Sequence, residues 1–177
     1  MAEIGRPKPE EYAPYYERYI SLVPEGDILS ILEAQAAEVR RALGAVPESR
    51  AGYRYAEGKW SIREVLGHLT DTERVFGYRA LCVGRGDPTP LPGFDQDVFS
   101  ASAFHDACPL ASLLDEFELV RRSHLLLFRH LPADAWTRIG VANESPVSPR
   151  ALAYDLAGHV IHHLKGLRDQ YGVGVSS

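Results

Sequence analysis

Apolar residues recur at spacings of three and four along four long stretches of this chain, and almost nothing alternates with the period of a β-strand. This pattern is typical of amphipathic α-helices, each of which must bury its apolar face against another element. Four such helices, each of roughly 18–24 residues, predict an all-α four-helix bundle. We expect one domain over residues 1–177, with its core at about residues 25–172.

Capping residues, prolines and glycines set the expected ends of these helices. Ser61 and Glu64 match a capping box, in which the hydroxyl and the carboxylate each accept a hydrogen bond from a backbone N–H of the first turn. The other helices begin at an aspartate, at a proline, or at a serine followed by a proline, and the ends fall at Pro or Gly. The predicted helices span residues 28–46, 62–84, 109–131 and 149–171.

The second and third predicted helices are separated by residues 85–108, which are rich in Pro, Gly and Asp. A connection of this length can return the chain along the bundle, which would make those two helices parallel. The predicted topology is therefore up-down-down-up, with a long crossover between helices 2 and 3. A tyrosine-rich segment before the first helix is expected to form a short helix over one end of the bundle; its tyrosines are Tyr12, Tyr15, Tyr16 and Tyr19.

Two histidines lie on the apolar face of the fourth helix, where the rest of the pattern is hydrophobic. His159 and His163 are four residues apart, so their rings stack about one turn apart and can reach one divalent ion. Two unpaired imidazoles in a core would lose their hydrogen bonds to water, and a shared metal explains them simply. The alternative is that each ring is hydrogen-bonded to its own neighbours, since histidines at this spacing are common.

A third histidine, His68, lies seven residues beyond the start of the second helix. If the second and fourth helices are antiparallel, His68 and His163 lie about 10 and 12 Å from the same end of the bundle. Three imidazole ligands leave a coordination position open, as in catalytic zinc sites. Because the chain has no Glu-x-x-His, His-Glu-x-x-His or Cys-x-x-Cys motif, the predicted site is mononuclear.

Three more residues are candidates for roles around this site. His162 could replace His163 as the partner of His159, and is otherwise a flanking polar residue. Asp71 could accept a hydrogen bond from a ligand ring, or it could be a solvated charge on the helix. His124 lies on the apolar face of the third helix, where it could be a fourth ligand or a second-shell base; a core histidine bonded to a neighbour is the favoured interpretation.

Charge and hydropathy exclude several classes of partner. The chain has 19 Lys and Arg against 24 Asp and Glu, a net charge of −5, and the basic residues form no stripe, which argues against nucleic acid. No apolar run approaches the ~20 residues needed to cross a bilayer, so we expect no membrane partner. The N-terminus has no basic segment before an apolar stretch, and the two cysteines suggest no disulfide framework, so the expected location is the cytoplasm.

Two stretches of the chain resemble the signature regions of the DinB/YfiT-like proteins. Residues 59–73 read KWSIREVLGHLTDTE, and residues 156–164 read LAGHVIHHL. The resemblance covers about residues 28–171. It implies the family's four-helix bundle with a long crossover, metal ligation by His68, His159 and His163, and a homodimer. The family places a mouth-lining segment near Asp95 and Asp97, although capping of a short helix explains both residues equally well.

The resemblance also implies a set of possible activities. Some members join a small thiol such as bacillithiol or mycothiol to an electrophile, and others are described as metal-dependent hydrolases. The expected function is therefore thiol transfer or metal-dependent hydrolysis, and the third alternative is a non-catalytic, stress-related metal-binding bundle. The expected cofactor is one divalent metal ion, with zinc and nickel as the first candidates. The expected partners are a small-molecule thiol with an electrophile, or a hydrolysable substrate.

Overall fold

Four long helices occupy the stretches that the periodicity predicts. The computed structural model describes residues 4–174, and within that range none of the helices has the length and apolar character needed to span a bilayer. Two short helices, α1 and α4, accompany the long ones. The helices are α1 (Glu17–Ile20), α2 (Ile28–Gly44), α3 (Ile62–Gly84), α4 (Gln96–Ser102), α5 (Leu110–Arg129) and α6 (Pro149–Tyr171).

The predicted caps are present at the helix ends. At the start of α3, the Ser61 hydroxyl accepts from the Glu64 N–H at 3.1 Å, and the Glu64 carboxylate accepts from the Ser61 N–H at 2.7 Å. Asp27 accepts from the backbone of Ser30 at the start of α2, and Ser148 accepts from the backbone of Ala151 in α6. Local hydrogen bonding therefore fixes where these helices begin.

Packing at one end of the bundle shows how the chain runs. An apolar cluster there combines Leu43 near the end of α2, Ile62 at the start of α3, Leu110 at the start of α5, and Leu167 and Tyr171 near the end of α6. Two helices thus begin at this end and two finish there. The up-down-down-up topology with a long crossover between α3 and α5 is confirmed.

A short hairpin between α5 and α6 was not predicted. Its strands are β1 (Gly140–Ala142) and β2 (Ser145–Val147), and they pair antiparallel. Strands of three residues contain too few alternations to show a period in the sequence. Leu91 of the crossover donates its N–H to the Val141 carbonyl at 2.9 Å, so the hairpin fixes the crossover against the bundle.

A buried polar network links all four long helices. Arg121 on α5 donates to the Glu73 carboxylate on α3 at 3.0 Å, and both side chains are about 1% exposed. Arg121 also donates to the Gln35 side-chain oxygen on α2 at 3.2 Å. Gln35 in turn donates to the Ala157 carbonyl on α6 at 2.8 Å. The paired charges are therefore buried where residues of all four long helices meet.

The tyrosine-rich segment forms a shorter α-helix than expected, since only Tyr19 of its four tyrosines lies in α1, and its position differs from the prediction. Helix α1 lies against the middle of α6, beside the histidines, and not over a bundle end. Gly158 makes this approach possible, since a Cβ atom at this position would lie 2.0 Å from the carbonyl oxygen of Tyr19. A glycine in the middle of α6 therefore brings Tyr19 next to the histidine rings.

We expect Gly158→Ala to lower the free energy of unfolding by about 1–3 kcal/mol, because α1 must move away from α6. Gly166→Ala is the matched control on the same helix, since nothing lies within 4 Å of a Cβ atom there. Alanine at that position should stabilise by about 0.5–1 kcal/mol through helix propensity. Urea unfolding measures both variants, and stabilisation by both would contradict the close contact.

Candidate metal centre

Three histidine rings meet between α3 and α6. The Nε2 atoms of His68 and His163 each lie 3.0 Å from the Nε2 atom of His159. The nitrogen atoms that the three rings offer all lie within 4.8 Å of one another. His68 and His159 are 4% and 7% exposed, and His163 is half-buried. Antiparallel packing thus brings together the three predicted ligands from two distant parts of the chain.

The arrangement of these nitrogens fits a divalent cation. Two nitrogen ligands of a tetrahedral zinc ion, each about 2.0–2.1 Å from the metal, lie about 3.3 Å apart, close to the separations in this site. Hydrogen bonds alone satisfy the cluster poorly. If the Nε2 atom of His159 carries a proton, it can donate that proton to the Nε2 atom of only one of the other two histidines. A lone pair on the Nε2 atom of the remaining histidine then faces the His159 nitrogen without a hydrogen between them. A shared cation removes that repulsion.

Burial keeps the three rings in the neutral form that binds metals. It lowers the pKa of His68 to about 4 and the pKa of His163 to about 3, with a smaller contribution from neighbouring imidazoles. The same causes hold the pKa of His159 well below its usual value. At neutral pH no proton has to leave before these nitrogens bind a cation.

These pKa values predict how the metal-free protein responds to acid. A histidine in the unfolded chain titrates near pH 6.5, so below that pH the unfolded chain binds protons that the native His68 and His163 do not. We therefore expect full stability above about pH 7.5 and a melting temperature that falls as the pH is lowered from 7.5 to 5.5. Thermal unfolding followed by circular dichroism, in buffer that contains a chelator, measures the melting temperature at each pH. His68→Leu should weaken this dependence, and an unchanged slope would contradict the assignment.

A cavity of about 620 Å³ opens beside two of the rings, His68 and His159. We call it the aromatic chamber, since five of its wall residues are Tyr or Phe. Its polar wall includes an arginine and an aspartate that are each about 4% exposed. The residues that define the aromatic chamber are Tyr16, Tyr19, Phe76, Phe94, Thr72, Arg79 and Asp155, together with the two histidines.

A second cavity, the outer cleft, reaches the cluster from the side of His163. It measures about 570 Å³ and is also lined by Trp60, Lys59 and Tyr171. The Trp60 ring packs 4.7 Å from the His68 ring, so it borders the site as well as anchoring the start of α3. Two cavities therefore border the three rings, and Asp97 lines both of them.

The predicted second-shell residues lie outside this group of three. The Asp71 carboxylate faces Arg74 at 3.9 Å, and within residues 4–174 it makes no hydrogen bond to any of the three rings. His124 lies 3.2 Å from the Glu73 carboxylate and belongs to the buried network, because α5 places it against Gly77 and Glu73. His162 is exposed, and its ring contacts Tyr19 at 5.3 Å.

Some site residues were not identified from the sequence. Asp155 precedes His159 by four residues on the same face of α6, so its presence among apolar positions was a usable signal. Arg79 and Phe94 gave no such signal, because their place in the chamber depends on how the crossover folds over α3. Asp95 caps α4 by accepting from the backbone of Asp97 at 2.9 Å, and it also lines the chamber, so both interpretations of this segment hold.

Comparisons with solved structures agree with the observed fold. YfiT from Bacillus subtilis, described as a probable metal-dependent hydrolase with an unusual four-helix bundle topology, superimposes with a TM-score of 0.72 at 18% identity over 96% of this chain and 95% of that chain. A mycothiol-dependent maleylpyruvate isomerase superimposes with a TM-score of 0.70 at 15% identity, covering 89% of this chain and 64% of the isomerase. No curated protein matches the sequence significantly.

A sequence model of one family matches residues 31–166, which include all three histidines of the cluster and most of the bundle. The match begins within α2 and ends within α6, so it covers the elements that bring the rings together. With the fold, the topology and this match in agreement, the chain belongs to the DinB superfamily.

Proposed function

We propose that the protein is a divalent-metal-dependent enzyme that activates a small thiol and transfers it to an electrophilic substrate. In this proposal His68, His159 and His163 hold one cation, zinc or nickel being the first candidates. The observation that carries it is the convergence of three Nε2 atoms on one point, with a cavity on either side. Three neutral nitrogen ligands leave room for a sulfur or oxygen ligand.

A bound divalent cation stabilises a thiolate at neutral pH and so turns a weak nucleophile into a useful one. The proton of the thiol passes to solvent. The sulfur then forms a bond to the electrophilic carbon while the bond from that carbon to the leaving group breaks, and the leaving group takes the electron pair. The protein's residues orient the two reactants, because the aromatic walls and Trp60 surround the rings.

Two cavities favour a reaction with two organic substrates. The aromatic chamber borders His68 and His159, and the outer cleft borders His163, so a thiol and an electrophile can approach the same centre from different sides. Hydrolysis needs one organic substrate and water. It remains the second candidate, since the same three ligands can activate water and since YfiT, which shares the fold, is described as a probable hydrolase.

One assay separates these activities. The metal-loaded protein is incubated with a chloronitrobenzene in the presence or absence of small thiols, and separately with an activated ester without thiol. Thiol-dependent loss of the haloarene, abolished in His159→Ala, supports transfer. Ester cleavage without thiol supports hydrolysis. If neither substrate turns over while metal raises the melting temperature, the proposal of an enzyme is wrong and a metal-stabilised, non-catalytic bundle replaces it.

The proposed enzyme acts in the cytoplasm, and it is a homodimer, the oligomeric state that the family resemblance implies. Light scattering coupled to size-exclusion chromatography tests the dimer on the purified, metal-loaded protein. A mass near twice the 19.6 kDa of the chain is the expected result. A mass of one chain at micromolar concentration would contradict it.

A further inference from the structure

We propose that Asp155 and Arg79 form an anchor in the aromatic chamber that binds the amino group and the carboxylate of a small zwitterionic substrate beside the metal centre. The anchor rests on the proposed function in one respect, namely that the substrate's thiol is the group presented to the histidines. The two anchor residues themselves are identified by their burial and contacts in the chamber.

Asp155 is a buried acid that lacks a partner. Its side chain is 4% exposed, it lines the aromatic chamber, and its Oδ1 atom has no hydrogen-bond donor among residues 4–174. Burial raises the pKa of this carboxyl well above its usual range, and the nearby Arg79 only partly opposes that effect. Ionising this carboxyl is costly unless a cationic donor reaches it, and an ammonium group of a ligand supplies both the hydrogen bond and the opposite charge.

Arg79 is the single basic side chain in the chamber wall. One of its Nη atoms donates to the Pro92 carbonyl at 2.8 Å. Its guanidinium carbon lies 5.3 Å from the centre of the Phe76 ring and 5.8 Å from that of Phe94. These contacts hold the guanidinium in place and leave further N–H donors for a ligand. A fixed guanidinium is well suited to a carboxylate, which it can bind through two parallel hydrogen bonds.

Asp155 and Arg79 are the two buried ionisable residues of the chamber wall apart from the histidines, and they form no ion pair with each other. Among the described residues, no nitrogen of Arg79 lies within 4.0 Å of an oxygen of Asp155. Arg79 nevertheless lies close enough to oppose the effect of burial on the Asp155 pKa. A ligand that carries a positive and a negative group a few bonds apart can therefore satisfy both side chains, and an α-amino acid is the smallest such ligand.

The position of the anchor relative to the metal centre indicates the rest of the ligand. Asp155 precedes His159 by one turn of α6, about 6 Å along the helix. Arg79 lies eleven residues beyond His68 on α3, about 16 Å along the helix, and its long side chain leans toward the helix N-terminus, which shortens the distance to the rings. A substrate whose thiol lies at the rings would therefore have Asp155 as the nearer and Arg79 as the farther of the two anchor residues. The inferred substrate class is a small thiol with a free amino group and a carboxylate.

Four probes test the anchor by calorimetric titration of the zinc-loaded protein. L-cysteine carries all three groups, cysteamine lacks the carboxylate, 3-mercaptopropionate lacks the amine, and L-alanine lacks the thiol. We expect L-cysteine to bind about tenfold or more tightly than either truncated thiol, as one charged hydrogen bond predicts. This comparison uses the wild-type protein and needs no variant to fold.

Two variants assign the contacts. Asp155→Asn should remove the preference for L-cysteine over 3-mercaptopropionate, and Arg79→Gln should remove the preference for L-cysteine over cysteamine. Asp71→Asn and Arg74→Gln are matched controls, because these residues carry the same charges on α3 outside the chamber wall. Equal binding of the three thiols by the wild-type protein, or preferences that survive both variants, would overturn the anchor.

Cobalt substitution separates failure of the anchor from failure of the proposed function. A sulfur-to-cobalt absorption band with every thiol, without dependence on amine or carboxylate, would overturn the anchor and leave thiol activation standing. Binding of L-alanine that is lost in Asp155→Asn and Arg79→Gln, together with no sulfur band from any thiol, would support the anchor and contradict thiol activation.

Discussion

Replacing Arg121 with methionine is expected to lower the free energy of unfolding by about 3–5 kcal/mol, one of the largest effects that a single substitution in this bundle should have. Arg121 is fully buried and pairs with Glu73, which is 1% exposed. Methionine fills similar space but leaves the Glu73 charge without its main partner. Gln35 and the Leu32 carbonyl lose a donor as well. Urea unfolding monitored by circular dichroism measures the loss.

Two further variants show whether the loss of stability in Arg121→Met comes from burial of an unpaired charge. Arg40→Met removes ion pairs to Asp115 and Glu118 at the surface, where we expect at most about 1 kcal/mol. The double variant Glu73→Leu with Arg121→Met removes both buried charges and should be more stable than Arg121→Met alone. Equal losses in the surface and buried single variants would contradict a dominant role for the network.

His159→Ala is expected to abolish stoichiometric metal binding. His159 is the central ring, and its Nε2 atom lies 3.0 Å from those of both other histidines. Even an outer-shell partner of a metal ligand is worth about 10- to 100-fold in affinity, so the loss of a ligand should cost about a hundredfold or more. Mass spectrometry of metals in protein purified without chelator measures the content, and competition with a chelator measures the affinity.

His162→Ala is the matched control, since it removes a neighbouring imidazole from the same helix. Its ring is exposed and lies outside the cluster of three, so metal content should stay at the wild-type level. The pair of variants also decides between the i,i+4 and i,i+3 partners that the sequence allowed. Loss of metal in His162→Ala with retention in His163→Ala would reverse that assignment.

The parts of the fold that the sequence predicted are those that depend on local structure. Helical periodicity, the Ser61–Glu64 capping box and the glycine at position 172 act within a few residues, and the structure has the helices where these signals place them. The four-residue spacing of His159 and His163 is equally local. His68 could be added because antiparallel helices of known rise set its height in the bundle.

The features that were missed depend on contacts between distant segments. Helix α1 lies beside His159 because Gly158 admits the Tyr19 backbone, and neither residue alone indicates this contact. Arg79 lines the chamber because Pro92 and Phe94 of the crossover fold over it. The periodicity of a helix shows which face is buried but not which cavity that face borders.

X-ray absorption spectroscopy of the zinc-loaded protein tests the central claim most directly, because it reports the atoms bound to the metal. The three converging rings predict one zinc ion per chain with three imidazole nitrogens at about 2.0–2.1 Å and one exchangeable oxygen ligand. A zinc ion without imidazole neighbours, or no zinc retained after dialysis, would contradict a metal centre built from His68, His159 and His163.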